Sequence, residues 1–204
     1  MARLWQTSQK RQTQMRLILA SGSPRRRELL HEAGYEFTVE PPDESAETAG
    51  NAYLSPTELV VALAFHKAAN IANRTSQGLI LAADTVAECD GCVLGKPTDR
   101  DHAEQMLKQM RGQQHMVHTG VCLWRRPSNR KSVQFETTTL KMTFLTDEEI
   151  DRYLDTGLWQ GKAGAFGYQD DIDWVSILKG SASNVVGLPM QLVAEMLRMK
   201  WASE

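Results

Sequence analysis

The sequence has little cysteine and no long apolar run. Its 204 residues include three Cys, an odd and small number that offers no disulfide framework and is typical of a reducing compartment. The longest apolar run, residues 59–65, has seven residues, against the roughly 20 that a membrane-spanning helix needs. Residues 17–20 are likewise too few for the apolar core of a signal peptide. We therefore expect a cytoplasmic protein with no membrane partner.

Net charge is also nearly absent. The chain has 23 Lys and Arg against 25 Asp and Glu, which gives a formal charge of −2. Proteins dedicated to nucleic acids usually carry a basic face and a high isoelectric point, so this balance argues against a nucleic-acid partner. The total does not say where the cations lie along the chain.

Several well-known motifs are missing too. Residues 91–97 resemble a Walker loop, but the spacing is one residue short and Pro97 stands where a Mg²⁺-binding Ser or Thr is needed. Cys89 and Cys92 have C-x-x-C spacing, yet they flank a hairpin turn and no second such pair accompanies them. His115 and His118 are three apart on a predicted strand, which points them to opposite faces.

What is present is an irregular alternation of strands and helices, typical of a mixed α/β protein. Residues 1–14 are polar and aperiodic, and we interpret them as a disordered leader before a single domain over 15–204. Pro at the first helical position and capping boxes mark the helix starts. The predicted strands are 15–20, 78–84, 86–88, the region of Val93, 115–124 and 132–145. The predicted helices start at Ser23, Ser55, Thr98 and Thr146, with a terminal helix over 188–200.

The first helix begins with an unusual concentration of cations. Its first turn reads Pro24-Arg25-Arg26-Arg27, at the end where the helix dipole and free N–H groups favour anions. The hydroxyls of Ser21 and Ser23 lie just before it, so the segment is suited to a phosphate. The alternative is a solvated basic surface without a ligand.

Asp84 and Lys67 are further candidates. Asp84 follows five apolar residues, so we expect it at the carboxyl end of a buried strand, facing the same cleft as Ser21. There it would be a metal ligand or a general base, although it could equally cap a turn into Thr85. Lys67 lies at the edge of the apolar arc of its helix, from which it could reach a phosphate or snorkel into water.

Several motifs, in order, resemble the Maf family of nucleotide pyrophosphatases. The resemblance spans residues 15–197 and includes the opening segment 19–30, Ala83-Asp84-Thr85-Val86, Leu94-Gly95-Lys96-Pro97, Lys162-Ala163-Gly164-Ala165-Phe166-Gly167 and Asn184-Val185-Val186-Gly187-Leu188-Pro189. It implies an elongated mixed-sheet α/β fold of two lobes around a central cleft, similar to inosine triphosphate pyrophosphatases. It also implies hydrolysis of a nucleoside triphosphate to the monophosphate and pyrophosphate with a divalent metal (Mg²⁺, Mn²⁺ or Co²⁺).

The resemblance also implies roles for individual residues. Asp84 would activate water and bind the metal, while Arg25, Thr85 and Gln169 would select the substrate. The triphosphate would be held by Ser21, Arg25, Arg26, Lys67, Lys96 and Lys162. The motifs resemble the branch of the family that prefers dTTP and UTP, although Tyr168 and Asp170, on either side of Gln169, depart from its usual residues. The family also implies a homodimer. The alternative function is a nucleotide- or nucleic-acid-binding regulator of cell division without catalysis.

Overall fold

A computed structural model describes residues 15–47, 54–168, 173–199 and Trp201. The predicted leader 1–14 lies outside the described residues. The strands are β1 (Leu17–Leu19), β2 (Phe37–Val39), β3 (Gly78–Cys89), β4 (Cys92–Leu94), β5 (Gln114–Arg126), β6 (Lys131–Met142) and β7 (Val175–Lys179). The helices are α1 (Pro24–Glu32), α2 (Pro56–Ala72), α3 (Arg100–Met110), α4 (Asp147–Asp155), α5 (Ala182–Val186) and α6 (Met190–Arg198).

The strands form one mixed sheet, as the family resemblance implies. Its order is β2-β1-β3-β5-β6-β7, and β4 pairs with part of β3. The pairings of β1 with β2 and with β3 are parallel, and the remaining pairings are antiparallel. The two longest neighbours, β3 and β5, pair along eleven consecutive positions and form the spine of the molecule.

Local sequence signals explain where most helices begin. The Ser55 side chain accepts a hydrogen bond from the Glu58 N–H, and the Glu58 carboxylate accepts one from the Ser55 N–H, which is the predicted capping box. Thr146 and Glu149 do the same for α4. The predicted cap at Thr98 is wrong by one residue: Asp99 caps α3, and its carboxylate accepts from the His102 N–H while Thr98 supports it.

The segment before the terminal helix contains two elements that were not predicted. The predicted terminal helix over 188–200 is confirmed as α6, which begins after Pro189, but strand β7 and the short helix α5 that precede it were not predicted. Gly187 has a φ of 116° and ends α5, a left-handed conformation that strongly favours glycine. This break brings the backbone at Gly187 back toward α1, where the candidate site lies.

The buried apolar residues gather around two regions of the spine. The first half of β3 and the second half of its antiparallel partner β5 pack against α2 on one face of the sheet and against α1 and α6 on the other. The second half of β3, from Ala87 onward, and the first half of β5 pack against α3, α4 and the 3-10 turn Ala163–Ala165. A cleft lies between these two regions, in agreement with the predicted two lobes. No helix within the described residues is long and apolar enough to span a membrane.

Candidate active site

One edge of β3 changes partner halfway along the strand. β1 pairs with Leu79–Leu81 and β4 pairs with Ala87–Cys89, while the opposite edge pairs with β5 throughout. Within the described residues no strand pairs with the intervening stretch of the first edge. Asp84 and Thr85 lie in this gap, with side chains on opposite faces because strand side chains alternate. The gap therefore exposes both side chains at the cleft.

This position corrects the expected one. The prediction that the strand ends at Asp84 is wrong, since β3 continues to Cys89 through its pairing with β5 and its hairpin to β4. Asp84 is nevertheless at the level where the parallel partner β1 stops. The Asp84 carboxylate therefore lies beside the loop that leaves β1. Ser21 is in that loop, so the two residues lie near each other as predicted.

Lys67 reaches Asp84 from α2. Its Nζ lies 2.6 Å from Oδ1 of Asp84, and the two side chains are 7% and 14% exposed. Snorkelling into bulk water, the alternative for this lysine, is therefore not what the structure shows. The ion pair fixes the carboxylate at the wall of the cleft.

Gly120 lets α2 lie close enough to the sheet for Lys67 to contact Asp84. It pairs with Asp84 across the sheet, and a Cβ at Gly120 would overlap the backbone carbonyl of Val60 in α2. Only a residue without a side chain lets the helix lie this close to the sheet. No sequence signal indicates this role of Gly120.

The helix α1 directs two of its three arginines into the cleft. Arg26 donates from Nε to the Gly187 carbonyl (2.7 Å), from Nη1 to Ser21 Oγ (3.2 Å) and from Nη2 to Thr85 Oγ1 (3.0 Å). Arg25 donates to the Gly161 carbonyl across the cleft at 3.4 Å. Arg27 is exposed, so the description of a solvated basic surface applies to that residue alone.

A buried chain of hydrogen bonds supports Arg26 from behind. The Thr85 hydroxyl lies 2.9 Å from that of Thr119, which donates to the Asn184 carbonyl at 3.2 Å. The Asn184 amide donates in turn to the Val117 carbonyl and the Thr138 hydroxyl. Thr119, Thr138 and Asn184 have no exposed surface. No separate sequence signal marks Thr119 and Thr138, since isolated threonines on strands are ordinary.

These side chains surround one cavity of about 360 Å³. Of the predicted site residues it brings together Ser21, Arg25, Arg26, Lys67, Asp84, Thr85 and Lys96. Lys162 does not line it, although its neighbours Gly161, Ala163 and Gly164 do. Gln169 and Asp170 lie outside the described residues, and Tyr168 is exposed.

The other end of the cavity is apolar. Its walls are formed largely by Ala87, Met110, Val117, Leu140, Phe166 and Val175. His115 also lines it and is 6% exposed. Burial lowers the pKa of His115 to about 4, because an imidazolium ion loses its hydration there. The cavity thus combines a cationic end, which contains one carboxylate, with an apolar end that contains a neutral imidazole.

The remaining sequence candidates do not join the site. His118 contacts Glu88 and Thr137 on the face of β5 opposite to His115, as the spacing predicts. Cys89 and Cys92 are opposite each other in the β3–β4 hairpin and both are free thiols. Within the described residues there is no group of three or more His, Cys, Asp or Glu side chains that could hold a metal by themselves.

Comparison with known proteins gives one consistent picture. The family model described as Maf-like protein matches residues 16–200. A dTTP/UTP pyrophosphatase of Rhodopirellula baltica is 53% identical over 182 residues, which are 89% of this chain and 80% of that protein. A dTTP/UTP pyrophosphatase of Carboxydothermus hydrogenoformans is 42% identical over 185 residues, 90% and 98% of the two chains. The solved structure of a HAM1 protein from Coxiella burnetii has the same fold, with a TM-score of 0.52 at 14% identity over 90% of this chain and 98% of that one.

Proposed function

This chain belongs to the Maf-like protein family, and we propose that it hydrolyses dTTP and UTP to the nucleoside monophosphate and pyrophosphate. The observation that carries the proposal is the position of Asp84: a carboxylate held by Lys67, at the edge of a cavity whose same end contains Arg25, Arg26 and Ser21. Relatives named dTTP/UTP pyrophosphatase support both the reaction and the substrates.

The cationic end suits the triphosphate. Arg25 and Arg26 lie in the first turn of α1, where the helix dipole also favours negative charge. Lys96 approaches from the segment after β4, and Lys67 from α2. In phosphoryl transfer most catalysis comes from positioning and from charge stabilisation at the phosphate oxygens. These cations would therefore hold the β- and γ-phosphates and stabilise the departing pyrophosphate.

Asp84 would act on the attacking water. In this proposal the water oxygen forms a bond to the α-phosphorus, the bond from that phosphorus to the bridging oxygen breaks, and pyrophosphate leaves. Asp84 accepts the proton that the water loses. The ion pair with Lys67 orients the carboxylate, so that its second oxygen, Oδ2, can face the water.

A divalent metal (Mg²⁺, Mn²⁺ or Co²⁺) fits this site in one particular way. With one carboxylate and no cluster of metal-ligating side chains among the described residues, the protein would supply Asp84 and the substrate its phosphate oxygens, as is usual for Mg²⁺ bound with nucleotides. When bound, the metal would neutralise phosphate charge. We also propose, from the family motif, that Lys162 contacts the substrate and that Thr85 and Gln169 contribute to its selection.

The test is pyrophosphate release from dTTP and UTP with Mg²⁺ or Mn²⁺. We expect Asp84→Asn to lower kcat about a thousandfold, the range of a lost general base. Asp151→Asn is the matched control, because Asp151 is an exposed carboxylate on α4 that pairs with Arg100, and we expect it to retain full activity. Equal rates for the native protein and Asp84→Asn on every common nucleotide would exclude this mechanism. Binding of dTTP without turnover by the native protein would favour the regulator instead.

A further inference from the structure

His115 is a buried polar group whose hydrogen bonding the fold leaves incomplete. It lies near the start of β5, is 6% exposed and lines the apolar end of the cavity. Its Nδ1 atom is shielded from solvent and has no hydrogen-bond partner in the described part of the chain. Buried polar groups are nearly always paired, so each exception needs an explanation.

The second buried histidine of the same strand shows what a paired one looks like. His118, on the opposite face, lies 2.9 Å from the Thr137 hydroxyl through Nδ1 and 3.1 Å from Glu88 through Nε2. Both of its nitrogens are therefore satisfied by neighbouring strands. Among the described residues His115 has a backbone interaction with Gln113, and its cross-strand neighbour on β6 is Leu140. The difference suggests that a bound molecule completes its hydrogen bonding.

The protonation state of His115 determines what that molecule must offer. With a pKa of about 4, the ring is neutral near pH 7 and carries one N–H. The backbone interaction with Gln113 raises the pKa, which is the effect of a carbonyl that accepts the ring N–H. Nδ1 is shielded from solvent and therefore from a ligand as well. Nε2 is not among the shielded unpaired atoms of the described residues, so it is the acceptor that calls for a donor from the ligand.

We propose that His115 is a specificity-determining residue that accepts a hydrogen bond from the N3–H group of a 4-oxopyrimidine base, such as uracil or thymine. Cytosine presents an unprotonated N3 at the same position, so two acceptors would face each other and one would stay unpaired. A site built to bind an N–H group rejects the analogue that lacks it far more strongly than an apolar pocket can. The inference rests on the proposed function and adds a residue that selects the base.

The position of His115 along the sheet fits this role. Asp84 pairs with Gly120, and His115 precedes Gly120 by five residues on β5, which is about 17 Å along a strand. The carboxylate and the imidazole thus lie toward opposite ends of the same cavity. A nucleotide with its phosphates near Arg25 and Arg26 would direct its base toward the apolar walls around His115.

The first test compares kcat/KM for UTP and CTP. Phe in place of His115 keeps a ring of similar shape and removes the acceptor, so we expect His115→Phe to lower the UTP/CTP ratio about tenfold, as for one neutral hydrogen bond. His115→Gln keeps a carbonyl oxygen near Nε2, so it should retain the preference for UTP, whereas His115→Asn, whose oxygen lies near the shielded Nδ1, should not. His118→Gln is the control on the other face, and its ratio should not change. An equal loss for UTP and CTP in His115→Phe would reduce His115 to a packing residue and overturn the proposal.

The second test needs no change at position 115. In ¹⁵N-histidine-labelled Asp84→Asn protein, the signals of His115 are identified by their absence when His115→Phe is added. Saturating UTP should shift the signal of its acceptor nitrogen, and CTP should not. No shift with bound UTP, or the same shift with CTP, would overturn the proposal. Because this experiment measures binding without turnover, it separates failure of the base contact from failure of the proposed reaction, which pyrophosphate release by the native protein decides.

Discussion

Arg26 and Arg25 are adjacent cations with different attachments. Arg26 makes hydrogen bonds to Gly187, Ser21 and Thr85, which come from three different segments of the chain, whereas Arg25 makes one long bond to Gly161. The planar guanidinium of Arg26 therefore joins three segments and holds its charge in a fixed place. Arg25 is the more easily displaced of the two and suits direct contact with a substrate.

This difference predicts unequal effects of the same substitution. Lys has a single ammonium group and cannot reproduce a three-way fork, so Arg26→Lys should lower the free energy of unfolding by about 1–2 kcal/mol through lost hydrogen bonds. It should also lower kcat/KM for dTTP. Arg25→Lys should leave the free energy of unfolding nearly unchanged. Urea unfolding and pyrophosphate release check both, and equal destabilisation by the two variants would contradict the assignment.

Secondary-structure elements position the site through a few close approaches. The capping boxes at Ser55 and Thr146 and the helix start at Pro24 are encoded locally, by side chains within three residues of each other, and all three were predictable from sequence. The union of the predicted strands 78–84 and 86–88 into one strand was not, since it depends on pairing with β5, roughly thirty residues away in the chain. The same holds for β7 and for the chain of hydrogen bonds that runs from Thr85 to Asn184. Contacts between distant segments leave no periodic pattern at either residue.

The packing of α2 on the sheet gives a sharp prediction at this scale. In Gly120→Ala the new methyl group would overlap the Val60 carbonyl, so α2 must move away from β5 and Lys67 with it. We expect a loss of about 1–3 kcal/mol in the free energy of unfolding, the usual cost of overpacking, together with reduced kcat. Gly95→Ala is the control for stability, because its added methyl group meets no atom within 4 Å. Native stability and activity in Gly120→Ala would show that the helix is not held at this distance.

The whole molecule places two kinds of environment around one cleft. The cationic end uses α1, α2 and the segment after β4, while the apolar end belongs to the core formed by α3, β6 and the 3-10 turn near Ala163. The charges of the 23 basic and 25 acidic residues nearly cancel, so the net charge conceals this division. The sequence did show the cations at 25, 26, 67 and 96 that face the cleft. It did not show His115, because a single histidine on a strand is not distinguishable from an ordinary core residue until its surroundings are known.

The buried imidazole also links the stability of the whole chain to pH. The pKa of His115 is about 4 in the folded protein, below the ordinary value of 6.5, so between these values the unfolded chain binds the extra proton and folding is opposed. This destabilisation is absent above pH 6.5 and grows as the pH falls toward 4, to about 2 kcal/mol near pH 5. His115→Gln removes the titrating group, and all other groups titrate alike in both proteins. Urea unfolding at pH 7 and at pH 5 measures how much free energy of unfolding each protein loses over this range. The variant should lose less than the native protein, by that amount. Equal losses in the two proteins would mean that the histidine is protonated in the folded state.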